Sequence, residues 1–129
     1  MQSLLIISHG SRLERSNNEI INLVAHLNDE LAASYPIVSN AFLEFFPRSI
    51  PDAINKCVEK GATSIKVLPY FLAAGVHVTD DIPNAVYLAA SEHQALDIEI
   101  LPHIGSSANI TSLISNMLTT NKTETDYGL

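Results

Sequence analysis

The chain has 129 residues, of which 47% are hydrophobic and 16% charged, with a formal net charge of −7 and one cysteine. This length fits a single domain with its own core, and the low charged fraction argues against long disordered stretches. The acidic balance disfavours nucleic acid as the main partner. No apolar run approaches the ~20 residues of a membrane span, and the first residues do not resemble a signal peptide. We therefore expect a cytoplasmic protein without a membrane partner.

Apolar runs and amphipathic segments alternate along the chain. Buried strands are predicted over residues 4–7, 38–44, 64–68 and 97–101, the last one alternating as in an edge strand. Helical periodicity follows over about 13–33, 49–61, 80–93 and 110–118. Fourfold alternation predicts an α/β fold with three layers, in which helices cover both faces of a four-stranded, mainly parallel sheet. We expect the strand order 2-1-3-4, one domain over residues 1–118 and a polar tail over 119–129.

Two histidines follow predicted strands at the same edge of this sheet. His9 comes directly after the first apolar run and opens a turn at Gly10, and His77 follows the third strand after a longer loop predicted over residues 69–79. Ligands of parallel α/β sheets bind at the carboxyl ends of the strands. The pair therefore predicts a metal site or an acid/base pair.

Other side chains with useful chemistry are predicted at the same edge. Glu44 ends the second strand, where its carboxylate would either cap a helix or transfer protons. His103 follows the fourth strand, and which of Glu44 and His103 removes protons stays open. Candidate binding residues on these loops are Ser11, Arg12, Phe45, Phe46, Arg48, Tyr70, Phe71 and Leu72.

Two imidazoles and one carboxylate suit a divalent first-row metal such as iron, cobalt or nickel. A structural zinc site would require four ligands, usually including thiolate, and the sequence has no CxxC or HExxH pattern. A metal site here is therefore expected to be open and to hold its ion loosely, with no organic cofactor.

Several segments, in order along the chain, resemble the small sirohydrochlorin chelatases, which are single-domain class II chelatases. The likeness runs through Ser8-His9-Gly10-Ser11-Arg12, Phe42-Leu43-Glu44, Pro69-Tyr70-Phe71-Leu72 and Gly75-Val76-His77 with the following Asp80-Asp81-Ile82-Pro83, and extends over about residues 4–118. The resemblance implies a chelatase-like fold of flavodoxin-like topology. It also implies insertion of Co²⁺ or Fe²⁺ into sirohydrochlorin, a tetrapyrrole polycarboxylate, for cobalamin or siroheme synthesis.

The resemblance further assigns roles to residues. The two metal-binding histidines of the family fall on His9 and His77, and its second-strand glutamate falls on Glu44. Because longer members contain two such domains around a cleft, the resemblance implies a homodimer for this chain. Arg12 and Arg48 would meet the carboxylates of the substrate.

Two alternatives use the same histidines. A non-catalytic carrier or storage protein for divalent metal would bind the ion without transferring it to a ring. A phosphatase of the histidine type would need an arginine just before the first histidine, and Ser8 occupies that position here.

Overall fold

The structure is a computed structural model that describes residues 1–44 and 49–119, and in this part four strands alternate with four α-helices. The strands are β1 (Gln2–Ser8), β2 (Ile37–Phe42), β3 (Ser64–Pro69) and β4 (Asp97–Ile100). The helices are α1 (Glu14–Leu31), α2 (Ile50–Glu59), α3 (Ile82–Glu92) and α4 (Asn109–Thr119). A π-helical turn (His77–Asp81) precedes α3, and a 3₁₀ turn (Ile104–Ser106) precedes α4.

The strand order β2-β1-β3-β4, all parallel, confirms the predicted topology. β1 is central, and its end is aligned with the ends of both neighbours, since Ser8 pairs with Phe42 and Ile7 pairs with Pro69. The loops that leave β1, β2 and β3 therefore emerge side by side at one edge of the sheet.

Alternation along the strands divides the core between the two faces of the sheet. On one face Leu5 and Ile7 pack with residues of α2 and α3, and on the other Ile6 packs with Val24 of α1. Helices thus cover both faces, as predicted. The single cysteine, Cys57, is a buried residue of α2, and its Sγ lies 3.3 Å from the Ser3 hydroxyl.

Several element boundaries differ from those predicted. β3 extends to Pro69, and β2 ends at Phe42, so Glu44 lies two residues beyond its strand. At α2 the predicted cap is present, because the Ser49 hydroxyl accepts a hydrogen bond from the Asp52 N–H. Thr119, assigned to the tail, is the last residue of α4. The rest of the predicted tail, residues 120–129, lies outside the described residues.

Lys66 interrupts the apolar pattern of β3 because it pairs with a carboxylate on the neighbouring strand. Glu99 of β4 is its register partner, and Lys66 Nζ lies 2.6 Å from Glu99 Oε1. This hydrogen bond is the main cause that raises the pKa of Lys66. The polar residue is therefore half of a partly exposed cross-strand pair.

The last helix, α4, differs from the other three because none of its residues is buried. Its apolar stripe is exposed to solvent at Leu113, Ile114, Met117 and Leu118. Among the described helices, none combines the length and apolar character that crossing a bilayer requires.

Candidate metal-binding site

The rings of His9 and His77, 68 positions apart in sequence, lie close together in the structure. Their centroids are 4.9 Å apart with an interplanar angle of 54°. Both side chains are partly exposed, 45% for His9 and 36% for His77. The predicted convergence of the two imidazoles is confirmed, while metal binding by them stays a prediction.

Glu44 lies beside His9 because the pairing of β1 with β2 continues past the ends of both strands. The Leu43 N–H donates to Ser8 O and the Glu44 N–H donates to His9 O, at 3.0 and 2.9 Å. His9 Nε2 then lies 2.9 Å from Glu44 Oε2. The structure thus places a carboxylate, half-exposed, next to the first histidine.

Gly10 makes this approach possible. Its φ of +90° lies in the left-handed region, and a Cβ at this position would collide with the backbone carbonyl oxygen of Glu44. His9 Nδ1 is 3.0 Å from Gly10 O, a carbonyl that can only accept a hydrogen bond. The turn therefore fixes the His9 ring from its own backbone.

The remainder of this loop is held by a residue that the sequence reasoning missed. Asn17, buried in α1, donates to Ser11 O at 2.7 Å and accepts from the Ser11 N–H at 3.0 Å. The Ser11 hydroxyl accepts from the Leu13 N–H, so this candidate binding group already supports the turn. Arg12 is exposed on the same loop, where its predicted contact with substrate stays a prediction.

His77 was predicted on a loop, and this was wrong: it is the first residue of the π-helical turn that leads into α3. The turn places Asp81 next to it, with His77 Nδ1 2.7 Å from Asp81 Oδ2. Sequence reasoning also missed Asp81 as a site residue. The spacing of four between a histidine and an aspartate at the start of a helix is the signal that could have identified it.

Five aromatic or apolar loop residues are predicted to pack against a macrocycle, and the three that the structure describes, Tyr70, Phe71 and Leu72, lie in different environments. The Phe71 ring is 6.2 Å from the His77 ring, and Leu72 is 77% exposed. Tyr70 instead packs with the cluster between the sheet and α1, on the other face from Phe71. The structure thus brings Phe71 to the site and leaves Tyr70 away from the histidine pair.

The remaining candidates are three residues of the loop after β2 and three further histidines. Phe45, Phe46 and Arg48 lie outside the described residues. His103 precedes the 3₁₀ turn, and its carbonyl accepts a hydrogen bond from the Ser106 hydroxyl. His26 is exposed on α1, and His93 at the end of α3 lies 2.6 Å from Asn55 Oδ1 through Nε2.

A cavity of about 330 Å³ opens beside His77, between the beginnings of α2 and α3. Its wall includes Glu44, His77 and Asp81 together with apolar atoms of Phe42 and Ile50. The lining of the cavity therefore combines apolar atoms with two carboxylates, which favour a cation.

Across residues 1–44 and 49–119, no three side chains of the types His, Cys, Asp and Glu form a ready-made metal cluster. The paired imidazoles supply two nitrogen donors, each with a carboxylate in contact. Such a donor set suits Fe, Co or Ni ions. Both rings are partly exposed, so the pair can be reached from solvent.

The chain belongs to the CbiX family, whose model matches residues 3–121. A sirohydrochlorin cobaltochelatase of Methanocaldococcus jannaschii is 37% identical over 94 residues, which cover 73% of this chain and 64% of that protein. The chloroplastic sirohydrochlorin ferrochelatase of Arabidopsis thaliana is 31% identical over 115 residues, 89% of this chain and 50% of that protein. The resemblance noted in the sequence is thus confirmed at the level of the family. The chain spans about half to two thirds of the length of these curated relatives.

Solved structures show the same fold. The sirohydrochlorin chelatase SirB of Bacillus subtilis subspecies spizizenii, solved in complex with cobalt, is 27% identical with a TM-score of 0.81, covering 92% of this chain and 50% of that one. A CbiX protein from Marinobacter aquaeolei VT8 is 21% identical with a TM-score of 0.77, and the match covers 98% of both chains. The second likeness concerns the fold alone.

Proposed function

We propose that this chain inserts Co²⁺ or Fe²⁺ into sirohydrochlorin, with His9 and His77 as the residues that hold the ion. The observation that carries the proposal is the 4.9 Å separation of the two rings at the carboxyl edge of the sheet. Membership of the CbiX family supports the reaction, because relatives of this family are named cobalto- and ferrochelatases of that substrate.

Metallation exchanges two pyrrole protons of the macrocycle for one divalent ion. The ion must lose water ligands, and neutral imidazoles can replace them without cancelling its charge, which keeps it electrophilic. Glu44, in contact with His9, is placed to accept a pyrrole proton when the ring arrives. Because Glu44 is half-exposed, it can pass the first proton to water and then accept the second. Two side chains thus hold the ion, and one transfers both protons.

The macrocycle would lie over the open side of the histidine pair. Phe71 next to His77 and the exposed side chains of Leu72 and Val76 provide apolar surface for it. Arg12 on the loop after β1 is assigned to the carboxylates of the substrate. Arg48 keeps the same assignment as a prediction.

We also propose that the protein acts as a cytoplasmic homodimer. The exposed apolar stripe of α4 supports dimer formation, since contiguous apolar surface commonly marks a protein interface. A second copy would also supply another wall for a substrate that a half-exposed site on one copy does not enclose. The SirB chain, of which this chain covers half, is long enough to contain two such units.

The absorbance spectrum of sirohydrochlorin tests the function. Purified protein is mixed with sirohydrochlorin and Co²⁺ or anaerobic Fe²⁺, and the spontaneous rate without protein is subtracted. The proposal predicts faster conversion to the metallated spectrum, with many turnovers per chain. Co²⁺ binding without any acceleration would instead identify a metal carrier, and metal-independent hydrolysis of phosphate esters would identify a phosphatase; either result would refute the proposal.

A further inference from the structure

The turn that carries His77 has an unusual backbone with an identifiable cause. The Ile82 N–H donates to His77 O, five residues back, rather than four as in an α-helix. Pro83 follows, has no N–H for the carbonyl of Thr79, and its ring would crowd that carbonyl in a regular helix. A wide turn relieves this conflict, and π-helical turns of this kind are frequent at functional sites.

The wide turn brings the Asp81 carboxylate to one particular nitrogen of His77. The contact is 2.7 Å from Asp81 Oδ2 to Nδ1. A carboxylate can only accept, so Nδ1 is the nitrogen that carries the proton, and the lone pair of the neutral ring is then on Nε2. We propose that Asp81 is a positioning residue, which fixes the tautomer and the orientation of His77 so that Nε2 faces the metal.

Asp81 and Glu44 are therefore not equivalent, although each contacts one histidine. Glu44 contacts Nε2 of His9, while Nδ1 of that ring lies against Gly10 O. A metal ion that takes Nε2 of His9 must displace Glu44, whereas Asp81 remains bound to Nδ1 when the ion takes Nε2 of His77. Both rings thus have Nδ1 anchored to an oxygen, one by the backbone and one by a carboxylate.

Neighbouring rings restrict His77 further. Phe71 lies 6.2 Å away with a tilt of 35°, and His9 lies 4.9 Å away. Ring contacts limit the position of the imidazole but do not choose between its two nitrogens. Among the contacts of the described residues, the hydrogen bond to Asp81 makes that choice. Carboxylates in this relation to metal-binding histidines raise metal affinity.

This inference rests on the proposed metal-binding role of His77, and its test separates the two. Asp81→Ala removes the acceptor, Asp81→Asn keeps an acceptor oxygen without the charge, and Asp80→Ala removes an equal charge from the adjacent exposed residue as control. Co²⁺ affinity is measured by absorption titration. The tautomer of His77 in the metal-free protein is read from imidazole ¹⁵N resonances.

We expect Asp81→Ala to weaken Co²⁺ binding by about 10- to 100-fold, Asp81→Asn to weaken it less and Asp80→Ala to change it little. The ¹⁵N spectrum should show the Nδ1–H tautomer in the wild type and in Asp80→Ala, and a mixture in Asp81→Ala. Because Asp81 is 48% exposed, the variants are expected to fold, and Asp81→Asn keeps the side-chain size.

Two results would overturn the positioning role while leaving the metal role of His77 intact. In the first, Asp81→Ala binds Co²⁺ with the same affinity as Asp80→Ala, while His77→Ala binds it poorly. The other is lost affinity with an unchanged tautomer, which would make Asp81 a direct ligand. If His77→Ala bound Co²⁺ with the affinity of the wild type, the metal role of His77 would be refuted, and the positioning role of Asp81 with it.

Discussion

At the scale of single residues, the site depends on how close two backbone segments can approach. Gly10 sits directly against the carbonyl of Glu44 with a positive φ, and this contact aligns His9 with the Glu44 carboxylate. The glycine is thus needed both for the turn and for the distance between two functional groups.

Replacing Gly10 by alanine tests this dependence. The strained φ alone is expected to cost about 1–3 kcal/mol of folding free energy, and the collision with Glu44 O adds to it. We expect urea denaturation to show this loss, and Co²⁺ titration of the folded fraction to show weaker binding because His9 and Glu44 separate.

Gly75→Ala is the matched control, because a Cβ at Gly75 meets no atom within 4 Å. Such a change is expected to be neutral or to stabilise by about 0.4–1 kcal/mol. If the two variants had equal stability and equal Co²⁺ affinity, the close approach at Gly10 would be unimportant for both folding and metal binding.

His9 and His77 could be predicted from the sequence because apolar runs locate strand ends, and parallel strands bring their ends to one edge. Asp81 and Asn17 could not be predicted in the same way, since their roles depend on side-chain hydrogen bonds that require the backbone path. Tyr70 was placed with Phe71 because both follow β3. Neighbouring residues of an extended chain point to opposite faces, and this parity directs Tyr70 toward α1.

At the scale of elements, the strands and their order followed directly from the sequence, whereas the beginning of α3 did not. Apolar runs identify the buried strands, and the alternating pattern of residues 97–101 identifies the edge strand β4. A π-helical turn is too short to show a period in the sequence. His77 was therefore assigned to the preceding loop rather than to the turn that holds it.

Loops from two different strands are joined at Gly105. The Gly105 N–H donates to Phe71 O at 3.0 Å, and a Cβ at Gly105 would collide with the carbonyl group of Leu72. The segment after β4 thus supports the loop that places Phe71 beside His77. This contact links the edge strand to the site without a direct contact to either histidine.

We predict that Gly105→Ala separates these loops and costs about 1–3 kcal/mol, as overpacking of a close contact usually does. Thermal unfolding should show the loss of stability. Because Phe71 is assigned to the macrocycle, the rate of sirohydrochlorin conversion should fall by a larger factor than the affinity for Co²⁺. Gly75→Ala is again the control. The prediction would be contradicted if Gly105→Ala had the stability of the wild type and converted sirohydrochlorin at the wild-type rate.

At the scale of the whole molecule, the apolar surface of α4 has no partner within the described residues of the chain. Its sequence predicted an amphipathic helix correctly, but periodicity cannot tell which surface the apolar stripe covers. The proposed homodimer gives this stripe a partner in a second copy.

Leu113→Asp tests that arrangement, since Leu113 is 55% exposed and lies within the stripe. A buried aspartate at the interface would disfavour association. Light scattering after size exclusion should give twice the chain mass of 14.0 kDa for the wild type and a shift toward a single chain mass for the variant.

Ser112→Asp adds the same charge to the opposite side of α4 and should leave the dimer intact. A wild type that has the mass of one chain would refute the homodimer. A Leu113→Asp variant that remains as dimeric as Ser112→Asp would exclude this face of α4 from the interface.

Whether one Co²⁺ ion is shared by His9 and His77 is measured most directly by titrating wild type, His9→Ala, His77→Ala and the double variant with Co²⁺. We predict one Co²⁺ site per histidine pair and a loss of at least about tenfold in affinity for each single variant. The double variant is expected to be much less affected than the sum of the two losses, because ligands of one ion are energetically coupled. Wild-type affinity in either single variant, or strictly additive losses, would contradict a shared ion.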